Sequence, residues 1–208
     1  MKNLVIWGAG GHGRVILDIA RAMGTFDQIA FCDDRAAADG ELAGAPVLSG
    51  SLERIRSLGF TWLVVAIGDN AVRARCFARA IEAGLQPATC IHPTAWISRR
   101  AQIGEGTVVM PRVVVQTEAR IGVNCILNTG VIVEHDCEVG DHAHLSPSAT
   151  LCGNVTVGEL AHLGAGVTAI PGSRIGAGAV VGAGSVVLRE VAADTTVVGV
   201  PARILQRK

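Results

Sequence analysis

A histidine set between two acids is the first feature of this chain that could do chemistry. "VEHDC" places His135 between Glu134 and Asp136. An imidazole held among carboxylates suits a general base working near neutral pH. A second grouping lies near the start. In "LVIWGAGGHGRVILDIA", residues 4–20, Gly8, Gly10 and Gly13 fit G-x-G-x-x-G. Asp33 and Asp34 follow at about the twenty-residue distance where an acid meets a ribose hydroxyl. Such a turn lets backbone amides at a helix start approach phosphate oxygens. The fingerprint alone leaves NAD and other nucleotides open. Further histidines stand at His142, His144 and His162.

Composition narrows the classes. The chain has 208 residues, with 18 basic and 18 acidic side chains. With no basic run and no aromatic–basic stripe, there is no footing for nucleic acid. Half the residues are hydrophobic, yet no apolar run approaches the ~20 residues of a membrane helix. The opening apolar run is too short for a signal-peptide core and breaks at glycine. Six cysteines without a C-x-x-C pair read as reduced, mostly buried thiols of a cytoplasmic protein.

The elements that position these residues follow two different rules. Over residues 1–90, strand-like and helix-like segments alternate. "NLVIW", "IAFCDD", "TWLVVAIGDN" and "QPATCI" read as strands, and "GRVILDIARAMG", "SLERIRSLG" and "AVRARCFARAIEAG" as helices. Gly24 and Gly59 close the first two helices. Alternation of this kind predicts a parallel α/β sheet, with too few strands for a full two-halved dinucleotide domain.

Residues 91–190 keep a period of six. From Ile97 to Val187, fifteen of the sixteen positions taken in steps of six are Ile, Leu or Val, the exception being Ala169. Four residues after each aliphatic position the residue is small or β-branched, and glycine often follows the aliphatic residue directly. This is a hexapeptide-repeat parallel β-helix. The small residue and the next aliphatic one are two apart, so both point inward from one strand. Corners fall one to three residues after the aliphatic position, where glycine eases the turn. Three faces make an eighteen-residue coil. Residues 191–208 form a C-terminal cap.

That register places side chains. His135 lies at a corner and points outward. His144 points out from a flat face half a coil away, so the two could meet only across a contact between two prisms. His162 stacks one coil above His144, and Gly153 one coil above His135. Cys125 and Cys137 fill inward positions.

Taken together, "GAGGHG", "CDD", "VAIGDN", "IHPTAWIS", "LNTGVIVEHDCEVGDHAHLSP" and "VVGVPARIL" resemble the sugar acyltransferases related to the sialic acid O-acetyltransferases. They are most similar to the N-acetyltransferases of nucleotide-linked 4-amino sugars, of bacillosamine and perosamine type. The resemblance covers nearly the whole chain. It implies a Rossmann-like nucleotide-sugar domain, a left-handed β-helix, a homotrimer, and acetyl-CoA bound between adjacent prisms. It places the base at His135 and the acid that supports it at Asp136. Asn128 matches a polar residue close to the site, His144 the histidine beside the thioester, and Ala165 and Ala183 the cofactor groove. Gly10, Gly11, His12, Asp33, Asp34 and Gly68 match nucleotide-sugar contacts, so the glycine turn holds that substrate rather than NAD.

The expectation is a cytoplasmic N-acetyltransferase that moves an acetyl group directly from acetyl-CoA to the 4-amino group of a UDP- or GDP-linked sugar, without a metal. The Gly153 N–H, above His135, is the candidate oxyanion donor. Three alternatives stay open: a sialic acid-type O-acetyltransferase, a zinc hydratase using His142, His144 and His162, and a binding module without activity. The zinc reading leaves "VEHDC" without a role.

Overall fold

Asn3–Trp7 is buried along its whole length, as a central parallel strand covered on both faces must be. It is β1 of a unit spanning Met1–Pro93; a second unit spans Thr94–Lys208. The computed structural model describes residues 2–34 and 38–205. In the first unit β1 is followed by α1 (Gly11–Met23), β2 (Gln28–Cys32), β3 (Gly40–Leu42), β4 (Ala45–Leu48), α2 (Leu52–Ser57), β5 (Trp62–Val65), α3 (Asn70–Glu82) and β6 (Gln86–Pro87). The sheet order is β3-β4-β2-β1-β5-β6. The chain winds outward from β1 through β2 and β4, then returns to β5 on the other side. The loops after β1, β2 and β5 therefore meet at the switch point where open α/β sheets bind ligands.

Local sequence explains these elements. The α1 helix buries Ile16, Leu17, Ile19 and Ala20 and ends on Gly24 in the left-handed conformation. Ser51 caps α2 and Asp69 caps α3, each accepting from a backbone N–H of the first turn. Two features depart from the sequence reading. "GELAGAPVL" forms the β3–β4 hairpin across Ala43 and Gly44, both at positive φ. "QPATCI" gives two separate two-residue strands, Gln86–Pro87 and Cys90–Ile91.

The second unit is a left-handed parallel β-helix. Two-residue strands pair in parallel with the strand one coil on, as in Val114↔Ile132, Ile132↔Thr150 and Thr150↔Thr168. The expected inward column is buried: Val131, Val133, Cys137, Ala143, Leu145 and Ala149 are each 0% exposed. The last coil is shorter, since Arg174 pairs with Glu190 and Val180 with Thr196. An antiparallel strand, Arg203–Ile204, closes that edge.

The corner glycines do a different job from the one expected. The left-handed residue lies three positions after each aliphatic one, at Asn124, Asp136, His142 and Asn154 among others. Glycine directly after the aliphatic residue serves close approach. A Cβ at Gly122, Gly140 or Gly158 would run into the backbone of the next coil.

Outward side chains sort by face. One ladder is polar: Gln102, Arg120, Glu138, Thr156, Arg174 and Glu190, with Arg120 and Glu138 paired at 3.2 Å. The others carry Trp96, Val114 and Ile132 on one side, and Val108, Ile126, His144 and His162 on the other.

Candidate active site

The chain enters the His135 corner from Ile132–Val133 and leaves it into Glu138–Val139. Asp136 takes the left-handed conformation at φ 59°, which aspartate adopts more readily than most residues. Its carboxylate meets the preceding imidazole, with His135 Nδ1 and Asp136 Oδ2 2.8 Å apart. When Nδ1–H donates to that carboxylate, Nε2 keeps its lone pair. The pair faces outward, 57% and 58% exposed.

Gly153 underlies the ring. A Cβ there would lie 2.5 Å from His135 Cε1 and 2.6 Å from Nε2, so the imidazole rests on the next coil only because that residue is glycine. Among the described residues the Gly153 N–H has no hydrogen-bond partner, while its carbonyl accepts from Gly172 N at 3.1 Å.

The neighbouring edge carries the other candidates. Asn128 Nδ2 lies 3.4 Å from His144 Nε2, and Asn128 Oδ1 accepts from Thr129 N at 2.8 Å. The His144 and His162 rings stack at 4.8 Å with planes 3° apart. Ser146 Oγ is 3.0 Å from His162 Nε2. Ala165 and Ala183 are exposed at successive corners of that edge, and Gly184 N donates to the Ala165 carbonyl at 2.8 Å. One chain thus gathers His135, Asp136 and Gly153 on one edge, and Asn128, His144, Ala165 and Ala183 along another. It does not bring the two groups together. Nor do the three other histidines converge: His142 Nδ1 faces Asn124 Nδ2 at 2.9 Å, while His144 and His162 meet ring face to ring face. Zinc ligands would instead aim ring nitrogens at one point. Among the described residues, no group of three or more His, Cys, Asp or Glu is placed to hold a metal ion.

The glycine turn builds the nucleotide end. Gly8 has φ 120°, and a Cβ at Gly13 would strike the Gly8 carbonyl, so these two glycines let α1 pack onto the turn. Gly10, by contrast, meets nothing within 4 Å, and Gly11 only the tip of Arg14 at 4.0 Å. The protein's own packing gives no reason for glycine at either position. Asp33 Oδ2 accepts from Ala9 N at 3.0 Å, and Asp34 Oδ1 from Trp7 Nε1 at 3.2 Å. Gly8, Gly10, Asp33 and Asp34 line one cleft of about 340 Å³ with Trp7, Ala66 and Ile67. Gly11, His12 and Gly68 are not part of its lining. Gly68 lies on the loop after β5, where its carbonyl and that of Ile67 accept from the buried Arg73. Burial, then the Arg73 charge, pushes the His12 pKa down to about 4, and its Nε2 is buried without a hydrogen-bond partner among the described residues.

Three residues at this end escaped the sequence reading: Trp7, Glu53 and Arg79. The Arg79 guanidinium lies 4.9 Å over the Trp7 ring and 3.8 Å from Asp34. Trp7 carried a signal, since it is the last residue of a strand running into the fingerprint. Arg79 carried none.

Comparison with known proteins matches these two halves to one family. The PglD N-terminal domain matches residues 3–80. PerB from Caulobacter crescentus, solved in complex with CoA and GDP-perosamine, superposes with a TM-score of 0.93 at 39% identity, over 99% of this chain and 98% of that one. The chain belongs to the nucleotide-amino-sugar N-acetyltransferase family of acyltransferases. The acetyltransferase domain of PglB from Neisseria gonorrhoeae FA1090, in complex with acetyl coenzyme A, gives a TM-score of 0.91 at 36% identity, over 98% of this chain and 99% of that one. UDP-N-acetylbacillosamine N-acetyltransferase of Bacillus subtilis (strain 168) is 41% identical over 113 residues, 52% of this chain and 51% of that protein. The chain thus spans about half the length of that curated relative in the match.

Proposed function

We propose that this protein transfers the acetyl group of acetyl-CoA directly to the 4-amino group of a nucleotide-linked amino sugar. The observation that carries the reading is the His135–Asp136 pair, 2.8 Å apart on an exposed corner and resting on Gly153. Acetyl-CoA supplies an activated thioester carbonyl, and the sugar amine forms the new C–N bond. His135 Nε2 takes the amine proton as that bond forms, and Asp136 stabilises the imidazolium at Nδ1. The unpartnered Gly153 N–H donates to the oxygen on which charge develops. His135 then returns the proton to the departing CoA sulfur, so no acyl-enzyme is needed.

Asn128 and His144 belong beside the thioester, with Ala165 and Ala183 lining the groove for the rest of the donor. Because these residues lie on a different edge from His135, a complete site takes residues from two chains, and the assembly is a homotrimer. The faces support that reading: one ladder is polar, and another presents the exposed Trp96 beside Val114 and Ile132. The glycine turn, Gly10, Gly11, His12, Asp33, Asp34 and Gly68 hold the nucleotide-sugar. PerB's complex with CoA and GDP-perosamine supports the same pairing of substrates. Six cysteines, none in a disulfide among the described residues, suit the reducing cytoplasm. Among the described residues no helix is long and apolar enough to cross a membrane.

The test is to incubate the protein with acetyl-CoA and a panel of UDP-, GDP- and dTDP-linked 4-amino sugars and to locate the new acetyl group by NMR. An amide at C4 is expected. An ester on a hydroxyl would replace this reading with O-acetylation.

A further inference from the structure

We propose that the α/β unit selects a guanine nucleotide, and that the Glu53 carboxylate reads the guanine N1–H and 2-amino group. The proposal rests on the reading that this unit holds a nucleotide-sugar. Trp7, Asp33 and Asp34 are shared by two clefts. One faces the glycine turn through Gly8 and Gly10. The other, of about 270 Å³, runs between α2 and α3 and includes Glu53, Arg79 and Glu82. Backbone amides at the start of α1 suit phosphates on the first side. The base then falls on the second.

That second cleft offers acceptors. Asp33, Asp34, Glu53 and Glu82 all line it, against a single arginine. Arg79, 3.8 Å from Asp34 and over the Trp7 ring, is the one cation among the described residues of the cleft and keeps N–H donors for a single base carbonyl such as guanine O6. Uracil presents one N–H between two carbonyl oxygens, and with a single arginine in the lining one of those oxygens would face a carboxylate. Adenine and cytosine each set an amino group beside a bare ring nitrogen. Guanine alone among these presents two adjacent N–H donors on one edge, the pattern that a carboxylate accepts in bidentate fashion.

Among the four acids, Glu53 is the one suited to the task. Asp33 is tied to Ala9 N, and Asp34 to Trp7 and Arg79. Glu53 stands in the first turn of α2. Hydrogen bonds from Ser51 and from its own N–H hold its carboxyl below the usual range, with Arg79 adding to the effect. Glu82 is the last residue of α3, whereas Glu53 belongs to an unbroken stretch of the cleft wall, Gly50 to Glu53.

Calorimetric titration of the full chain with free GDP, IDP and UDP tests this. GDP should bind at least about tenfold more tightly than UDP. IDP, which keeps N1–H and lacks the 2-amino group, should fall between them. Glu53→Gln should weaken GDP by about tenfold, leave UDP unchanged and leave the melting temperature in place. UDP binding as tightly as GDP, IDP matching GDP, or an unchanged GDP-to-UDP ratio in Glu53→Gln would each overturn the guanine assignment while nucleotide binding itself stood. Failure of all three nucleotides to bind at millimolar concentration would overturn both the assignment and the nucleotide-sugar reading beneath it.

Discussion

His135 gains its orientation from two neighbours that act differently. Asp136 fixes which nitrogen carries the proton, and Gly153 fixes where the ring lies. His135→Ala should lower turnover by roughly 10²- to 10⁴-fold, the range expected for loss of a general base, with the assembly unchanged in size-exclusion chromatography. Gly153→Ala probes position alone. Its methyl would fall 2.5 Å from His135 Cε1, and an exposed ring can swing away, so the fold should survive while turnover falls. Wild-type turnover in Gly153→Ala would mean that the ring need not rest on the next coil. At the other end of the chain, His12 makes a prediction about pH. Its pKa is lowered from 6.5 to about 4 in the folded state, so the unfolded chain binds the extra proton between those values. Stability from this group is therefore present above pH 6.5 and is lost as pH falls towards 4, by about 3 kcal/mol in all. His12→Asn should flatten that acid-side decline in thermal melts. An equally steep decline in the variant would assign the loss to other groups.

The elements differ in how much of them could be read from sequence. The β-helix was legible because its period is strict: one inward column every six residues sets every outward side chain as well. That is why the His144–His162 stack and the glycine beneath His135 follow from counting. The shortened last coil breaks the count by two residues and gave no warning. In the α/β unit, the strands and helices followed from apolar periodicity and caps, but the β3–β4 hairpin did not. Its turn is Ala43-Gly44 rather than the Asn-Gly or Asp-Gly that marks such turns. Contacts such as Arg79 over Trp7 join residues far apart in sequence, and no local pattern carries them. The α1 N-terminus offers an element-level test. A Cβ at Gly11 would meet only the tip of Arg14 at 4.0 Å, so Gly11→Val should fold normally, and its added bulk should obstruct the phosphates. The KM for the sugar substrate should rise with acetyl-CoA affinity nearly unchanged. A lower melting temperature with unaltered KM would make the turn a packing feature only.

At the scale of the whole molecule, the two halves of the proposed chemistry occupy separate edges of one prism, and in the proposed homotrimer association completes them. A polar ladder with the Arg120–Glu138 ion pair is poorly suited to burial, because its charges would lose their water. The ladder bearing Trp96, Val114 and Ile132 loses exposed apolar area if prisms pack together, whereas Val108 and Ile126 on the histidine ladder are already buried within one chain. A contact between two different faces of the prism forms a ring where its rotation closes, and the proposed assembly is a ring of three. Such a ring places the His135 edge of one chain against the His144 edge of the next. Mixing tests that geometry directly. If the proposed assembly holds, His135→Ala and His144→Ala chains each lack one half of every site when assembled alone. Co-assembled, they form some interfaces at which His135 and His144 are both native. Trimers carrying two distinguishable tags, purified through both, should recover a fraction of wild-type turnover well above either parent, and the fraction should follow the statistics of chain order around the ring. Doubly tagged trimers no more active than the parents would show that the two histidines do not act across an interface, and the site would then have to be sought within one chain.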